Sequence, residues 1–502
     1  MEGVYFLGYD LGSSSVKASL IEAKTGVLVA SAISPDVEME IISPHKGWAE
    51  QHPEVWWSNV IKATHQLLKK SQVAANHIKA IGISYQMHGL VLVNKDQQVL
   101  RPSIIWCDSR AVSIGEDAFR KLGEIYCLER LLNSPGNFTA SKLKWVKENE
   151  PAVYDQIDKV MLPGDYLAMK MTDQVMTTVP GLSEGIMWDY QKQVLPERLF
   201  KLYEIAPELI PEIVPTFSKQ GVLTSDTAKI LGLAVNTPIT YRAGDQPNNA
   251  FSLNVLNPGE IATTAGTSGV IYGVVDKPVS DKHSRVNTFV HSNYTNNTPR
   301  YGVLLCVNGT GILNSWLRKN LSLKGHLVDY NAMNDLAKGI PIGSEGLSVL
   351  PFGNGAERML KNTDIGAGFH RLDLNRHTNA HLCRAVQEGI VFALGYGFQV
   401  FRELGLQSNV IRAGHANMFL SDIFCEAFAN ITNTTLELYN TDGAQGAARA
   451  AGVGANFYQD FEEAFDNLQC IKTYEPNPQQ QPSYQQAFEQ WKGILETQLA
   501  KL

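Results

Sequence analysis

The sequence predicts an α/β protein of two domains, and three observations carry that prediction. The chain has 502 residues, more than one hydrophobic core usually organises, so two cores are expected. Short strand-like runs alternate with stretches whose apolar residues recur at helical spacing, as in residues 78–84 and 54–69. A strand–turn–strand pattern reading Gly-[Ser/Thr]-Ser-x-Val occurs from Gly12 to Val16 and again from Gly266 to Val270, about half a chain apart. Such a pair is what a duplicated architecture leaves after the rest of the sequence has diverged, although small residues also make ordinary hairpin turns.

The elements follow in order. Residues 4–9 and 16–21 read as two strands of a hairpin whose tip is Asp10-Leu11-Gly12-Ser13-Ser14-Ser15. Lys24-Thr25-Gly26 turns into a third strand at 27–32, a helix spans 54–69, and the strand at 78–84 runs directly into Gln86-Met87-His88-Gly89. Pro207, Pro211, Pro215 and Pro238 punctuate a region whose one helical stretch is 225–231. The domain boundary is expected near Tyr241, giving domains 1–241 and 242–502. The second half opens with strands at 261–264 and 270–275 around Ala265-Gly266-Thr267-Ser268-Gly269, and 476–482 reads as a surface loop before a C-terminal helix.

With 43 basic against 50 acidic residues the formal charge is −7, which removes the broad electrostatic attraction of a nucleic-acid binder. Anionic ligands must therefore be held locally. No basic leader and no apolar run near the ~20 residues needed to span a bilayer is present, so neither nucleic acid nor membrane is an expected partner, and a cytoplasmic protein is expected. A homodimer is compatible with the sequence. The cysteines Cys107, Cys127, Cys306, Cys383, Cys425 and Cys470 show no metal-site spacing and read as reduced, mostly buried thiols.

A hairpin tip of glycine and hydroxyl residues offers a phosphate exposed N–H groups and hydroxyl donors without bulky side chains in the way. Two such tips could grip a polyphosphate from opposite sides. Neither a Walker A loop nor a Rossmann fingerprint occurs. Asp10, at the entry to the first tip, would repel phosphates unless Mg²⁺ stood between them, the alternative being an Asp that closes a turn through its own backbone. Asp245, in Gly244-Asp245-Gln246-Pro247, is either a turn or cap residue or the general base that an alcohol acceptor requires. Gln86, Met87 and His88 bring amide, thioether and imidazole groups suited to a polyhydroxylated ligand. Trp106, Asp108 and Arg110 could add a platform and charged donors, or be an interior Trp beside a surface ion pair.

In these residues the chain resembles the FGGY-type carbohydrate kinases, nearly end to end, and within that family the members that phosphorylate xylulose. Asp10 to Lys17 resembles the first phosphate loop, and Gln86-Met87-His88-Gly89 the xylulose-binding pattern. Gly47-Trp48-Ala49-Glu50-Gln51-His52-Pro53, Leu162-Pro163-Gly164-Asp165, Gly244-Asp245-Gln246, Gly266-Thr267-Ser268-Gly269 and Leu350-Pro351-Phe352 with Glu357-Arg358 fall in the family's order. The resemblance implies a two-domain, actin-like ATPase fold of the ribonuclease H-like type with a central catalytic cleft. It implies ATP and Mg²⁺ as cofactors, Asp245 as the base on the sugar hydroxyl, and Gln86, Met87, His88 and Asp245 as sugar contacts. Asp10 would take Mg²⁺ through water. Gly12, Ser13, Ser14, Lys17, Gly266, Thr267, Gly311, Gly414 and Asn417 would hold the nucleotide, with Lys17 reaching a phosphate or standing in solvent. The implied reaction moves the ATP γ-phosphoryl group to a pentulose, D-xylulose first, with ribulose, fuculose or a polyol as the alternative acceptor and a non-catalytic sugar sensor as a third reading. Ala413-Gly414-His415-Ala416-Asn417 departs from the family's glycine triplet, Thr177 to Gly181 lacks its acidic residue, and Gln445 stands where an apolar residue is usual.

Overall fold

The computed structural model describes residues 3–322 and 327–502. The expected hairpin forms from β1 (Tyr5–Leu11) and β2 (Val16–Glu22), paired antiparallel with Asp10 opposite Lys17 and Leu11 opposite Val16. Its tip is closed by the Gly12 N–H donating to the Ser15 carbonyl at 3.0 Å. β3 (Leu28–Ser34) adds antiparallel to β2, β4 (Ile78–Tyr85) lies parallel to β1, and β5 (Ile239–Gly244) lies parallel to β4, giving the sheet order β5-β4-β1-β2-β3. β5 remains in this sheet through Gly244 because β4 offers it a parallel partner as far as Tyr85. A division between 241 and 242 therefore cuts a strand.

The second sheet is built from β6 (Ile261–Ala265), β7 (Gly269–Val275), β8 (Asn287–Val290), β9 (Tyr301–Val307), β10 (Val410–Gly414), β11 (Thr435–Tyr439) and β12 (Cys470–Tyr474), in the order β8-β9-β7-β6-β10-β11-β12. With the outermost strands set aside, it repeats the first sheet strand for strand. A hairpin carries an antiparallel third strand on one side and two parallel strands on the other. The duplication read from two short tips extends to whole sheets, and the chain has the two-domain, actin-like α/β fold.

The helices that matter for the cleft are α1 (Pro53–Ser71), α2 (Thr139–Asn149), α3 (Pro163–Thr172), α4 (Val179–Glu184), α5 (Ser225–Leu231), α6 (Asp245–Ser252), α7 (Gly311–Leu321), α8 (Asn379–Glu403), α9 (Gly443–Gly454) and α10 (Gln481–Leu499). Their limits follow local chemistry. α1 starts at a proline with Glu54 in its first turn and ends on Lys69 and Lys70, each end matched to the helix dipole. The Thr224 hydroxyl caps α5 by accepting the Thr227 N–H at 3.2 Å, and Gly232, at φ 71°, ends it. α10 takes Gln481 and Pro482 into its first turn, so the loop before it is shorter than expected, because proline suits that position.

α1 and α3 cover one face of the first sheet, burying Trp56 and Tyr166 against Leu7, Tyr9 and Ile81; the Tyr9 hydroxyl is satisfied by Thr64 at 2.7 Å. α9 covers the other face with Ala447, Ala448, Ala450 and Ala451 packed on Phe6, Ala80, Tyr241 and Ala243. That approach depends on Gly8 and Gly82, since a Cβ on either would strike the α9 backbone at Ala444 or Ala447. Reciprocally, α6 packs Ala250 and Leu253 on Ala262, Val270, Tyr272 and Val274 of the second sheet. The helix that follows each lobe's fifth strand thus crosses to the other lobe, and the two lobes share buried apolar surface along the floor of the cleft. In the second lobe α8 runs through the core, and α10 docks on it through Trp491, whose indole N–H donates to the Val349 carbonyl at 2.8 Å. No helix among the described residues is long and apolar enough to cross a membrane. The six cysteines are unpaired; Cys127, Cys383 and Cys425 are buried, whereas Cys107 and Cys470 are exposed, so the expectation of mostly buried thiols holds for half of them.

Candidate active site

Register places the key residues along one sheet edge. Leu11 lies beside Tyr85, and Tyr85 beside Gly244, so Gly12, Gln86 and Asp245 all leave the sheet at the same end of parallel strands. Asp10 sits one step earlier, beside Ser84, whose hydroxyl donates to its Oδ1 at 2.7 Å. Burial raises the Asp10 pKa; Ser84 opposes the rise, Asp442 adds to it and Lys17 counters it. Asp245 is the first residue of α6, with Gly244 as the cap, and its carboxyl accepts from the Gln246 N–H at the start of that helix. Half-buried at the cleft floor, its carboxyl is pushed up to about 7, first by burial and then by the negative charge of Asp10, with hydrogen bonds from Gln246 working the other way.

Two cavities meet here. One, of about 300 Å³, is lined by Met87, His88, Trp106, Phe138, Asp245 and Arg358 among others. The other, of about 280 Å³, is lined by Gly266, Thr267, Gly414, Asn417, Asp442 and Gly443 among others. Gln246 and Ser268 line both. Met87, His88 and Asp245 are therefore brought together on one side, and Gly266, Thr267, Gly414 and Asn417 on the other. Gly311 sits under the second tip, donating its N–H to the Gly266 carbonyl at 2.9 Å, so it fastens that tip instead of lining the cavity.

Five expected residues are placed differently. Gln86 lies elsewhere: it is buried and faces away from the cavity that Met87 and His88 line, the expected sugar side. Its N–H extends the ladder to the Leu11 carbonyl at 2.7 Å, which puts its side chain on the face opposite Met87, where it donates to Gln51 Oε1 at 3.2 Å. The same oxygen accepts the Trp56 indole N–H at 3.0 Å. Lys17 neither stands free in solvent nor points to an empty phosphate site, because Asp442 engages it at 2.6 Å. Gly12, Ser13 and Ser14 are not among the residues lining either cavity; the Ser13 and Ser14 carbonyls are tied back by Gln51 Nε2 at 2.7 Å and the Met39 N–H at 2.8 Å. The stem of that hairpin does reach the cavity lined by Gly266 and Thr267, through Lys17 on Asp442 and through the Asp10 carboxylate, which lies against Gly443.

His88 is held in a left-handed backbone conformation, φ 62°, between the rings of Phe138 and Phe289 at 4.8 and 5.3 Å. Its Nδ1 meets the Glu184 carbonyl at 2.9 Å. Burial, and next the Lys142 charge, lower its pKa to about 3, so the ring is neutral. Lys142 ties two walls of the cavity together by donating to the His88 carbonyl at 2.8 Å and the Ile105 carbonyl at 2.9 Å. Trp106 is 41% exposed on the cavity wall, whereas Asp108 and Arg110 form a buried pair at 2.7 Å with Glu50 2.6 Å from Arg110, the reverse of an interior Trp beside a surface pair. The unusual Gln445 has its own partner: its amide donates to Asp442 Oδ2 at 2.8 Å. Sequence reasoning missed Glu184, an isolated acid among small residues. It also missed Gln246 and Ser268 as shared walls, although both lay inside motifs already singled out.

The pattern of the FGGY family of carbohydrate kinases, N-terminal domain, matches residues 5–252, and that of its C-terminal domain matches residues 261–455. The first match runs through β5 and α6, past residue 241. A xylulose kinase of Haemophilus influenzae is 29% identical to this chain over 504 residues, covering 97% of this chain and 98% of the relative. Among solved structures, a ligand-bound xylulose kinase from Lactobacillus acidophilus superposes with a TM-score of 0.87 at 25% identity over 98% of each chain. A gluconate kinase from the same organism does so with a TM-score of 0.86 at 25% identity over 99% of each chain.

Proposed function

The chain belongs to the FGGY family of carbohydrate kinases and is an ATP-dependent sugar kinase; from that premise we propose that its acceptor is D-xylulose, converted to D-xylulose 5-phosphate. Similarity to xylulose kinases supports the acceptor, and one observation carries transfer to its hydroxyl. Asp245, with a carboxyl pKa of about 7, lines the sugar-side cavity immediately before Gln246, which borders both cavities. An alcohol becomes a competent nucleophile as its proton leaves, and a base that titrates near the working pH is matched to that task. Asp245 takes the proton of the terminal hydroxyl as its oxygen attacks the γ-phosphorus of ATP, and ADP departs.

Each remaining residue has a part. Met87 and the neutral ring of His88 orient the ketose. Gly266 and Thr267 offer N–H and hydroxyl donors to the phosphates, with Gly12, Ser13 and Ser14 facing them from the first hairpin once the lobes close, and Gly311 keeps the second tip in place. Gly414 and Asn417 wall the nucleoside end. Closure over both substrates excludes water as a rival acceptor.

Asp10 fits a hydrated Mg²⁺: Ser84 is its hydrogen-bond donor, the neighbouring Lys17 is engaged by Asp442, and Asp442 adds further negative charge. Mg²⁺ held there by Asp10 would neutralise negative charge on the phosphates of the nucleotide.

A second reading, a sugar acid as acceptor, is favoured by Arg358, a cation on the wall of the sugar-side cavity, and by the similarity to a protein named gluconate kinase. ADP release measured with ATP and Mg²⁺ across D-xylulose, ribulose, fuculose, polyols and gluconate decides. The first reading requires the largest kcat/KM with D-xylulose; a larger value for gluconate or another acceptor replaces it.

A further inference from the structure

We propose that Glu184 is a positioning residue for the acceptor sugar, holding His88 at both its backbone N–H and its imidazole so that ring Nε2 serves the sugar-side cavity as a hydrogen-bond acceptor. This deepens the kinase reading and rests on it. α4 ends at Glu184, so the carbonyl of that residue is one of those a helix leaves without an internal partner, and the His88 Nδ1 meets it at 2.9 Å. A carbonyl oxygen only accepts, so Nδ1 carries the hydrogen and Nε2 keeps its lone pair. The Glu184 carboxyl then reaches the other end of His88, where Oε1 accepts the backbone N–H at 3.3 Å.

That second bond falls where the chain needs support. A left-handed conformation is costly for a residue other than glycine and persists only where the surroundings impose it. Lys142 holds the His88 carbonyl while Glu184 holds the N–H, so both peptide groups of the strained residue are fixed by buried side chains. Glu184 also underlies the segment that bears the base: a Cβ on Gly244, the residue before Asp245, would run into Glu184 Oε2 and Met87. The backbone N–H of His88 and the start of α6 therefore rest on the Glu184 side chain, while the imidazole rests on the carbonyl of the same residue. Burial, the largest influence, pushes the Glu184 carboxyl well above its ordinary range, which makes glutamine a close mimic.

The test uses the full chain and whichever acceptor the sugar panel ranks first, so that a wrong acceptor shows as weak wild-type turnover with D-xylulose and a wrong role for Glu184 shows in the variants. Glu184→Ala should raise the acceptor KM about tenfold while kcat and the KM for ATP change little. Glu184→Gln, which retains an oxygen for the His88 N–H, should stay within about threefold of wild type. An unchanged acceptor KM in Glu184→Ala, or a Glu184→Gln acceptor KM raised as much as that of the alanine variant, overturns the proposal. Should the alanine variant fail to fold, ¹⁵N spectra of the wild-type imidazole decide alongside Glu184→Gln. The expected result is a neutral Nδ1–H tautomer that does not titrate between about pH 5 and 8, and an Nε2–H tautomer or ordinary histidine titration overturns it.

Discussion

Asp245 and Asp442 each stand at the start of the helix that follows their lobe's fifth strand, yet their surroundings differ. Asp442 caps α9 by accepting the Gln445 N–H at 3.0 Å and is paired with Lys17 at 2.6 Å. The Asp245 carboxyl accepts from Gln246, and the strongest charge influence on it is the repulsive one of Asp10. Each lobe sets a carboxylate at the entry to that helix, and their partners distinguish the two. A carboxylate with a cation and two hydrogen-bond donors is a fastening between lobes, and one without a cation suits the proton transfer proposed for Asp245.

The sharpest way to break this contrast is to neutralise each in turn. Asp245→Asn should lower kcat by about 10²–10⁴ with ATP affinity retained, whereas Asp442→Asn should act mainly on nucleotide affinity and stability. Equal losses of kcat in the two variants, measured by coupled ADP release, would erase the distinction. The pH profile sharpens it next. The proposed base works deprotonated, and with the Asp245 carboxyl at about 7, kcat/KM should fall about tenfold per pH unit below that value. Asp10 raises that pKa, so in Asp10→Asn the residual activity should have its acidic limb displaced to lower pH. A limb that stays in place would separate the two aspartates.

Smaller effects test the lobes' attachment. Gly82→Ala sets a methyl group against the Ala447 carbonyl and should destabilise by about 1–3 kcal/mol in denaturant unfolding, since backbone cannot yield as a flexible side chain would. Lys17→Met removes the partner of Asp442, a pair 30% and 26% exposed, and should cost no more than about 1 kcal/mol.

What was legible in the sequence was local. The hairpins of both lobes were visible because apolar strands flank tips of glycine and hydroxyl residues, and α5 because its threonine cap and terminal glycine are adjacent in the chain. Interactions between distant segments were not. Lys17 and Asp442 are separated by 425 positions and His88 and Glu184 by 96, so neither pair leaves a local pattern. Gln86 was misjudged because a strand's alternation continues one residue past its apolar run and turns the amide away from its neighbour Met87. The boundary near Tyr241 followed the prolines, whereas β5 is held in the first sheet by a partner whose sequence lies far upstream.

The central claim is that a nucleotide's phosphates lie between the two hairpins while Asp245 faces the acceptor hydroxyl. A crystal structure with a non-hydrolysable ATP analogue, Mg²⁺ and the preferred sugar tests it directly. The account predicts phosphate oxygens held by Gly266 and Thr267 on one side and by Gly12 to Ser14 on the other, with the terminal hydroxyl within hydrogen-bond reach of Asp245. Phosphates bound away from the first hairpin, or a hydroxyl directed away from Asp245, would contradict it.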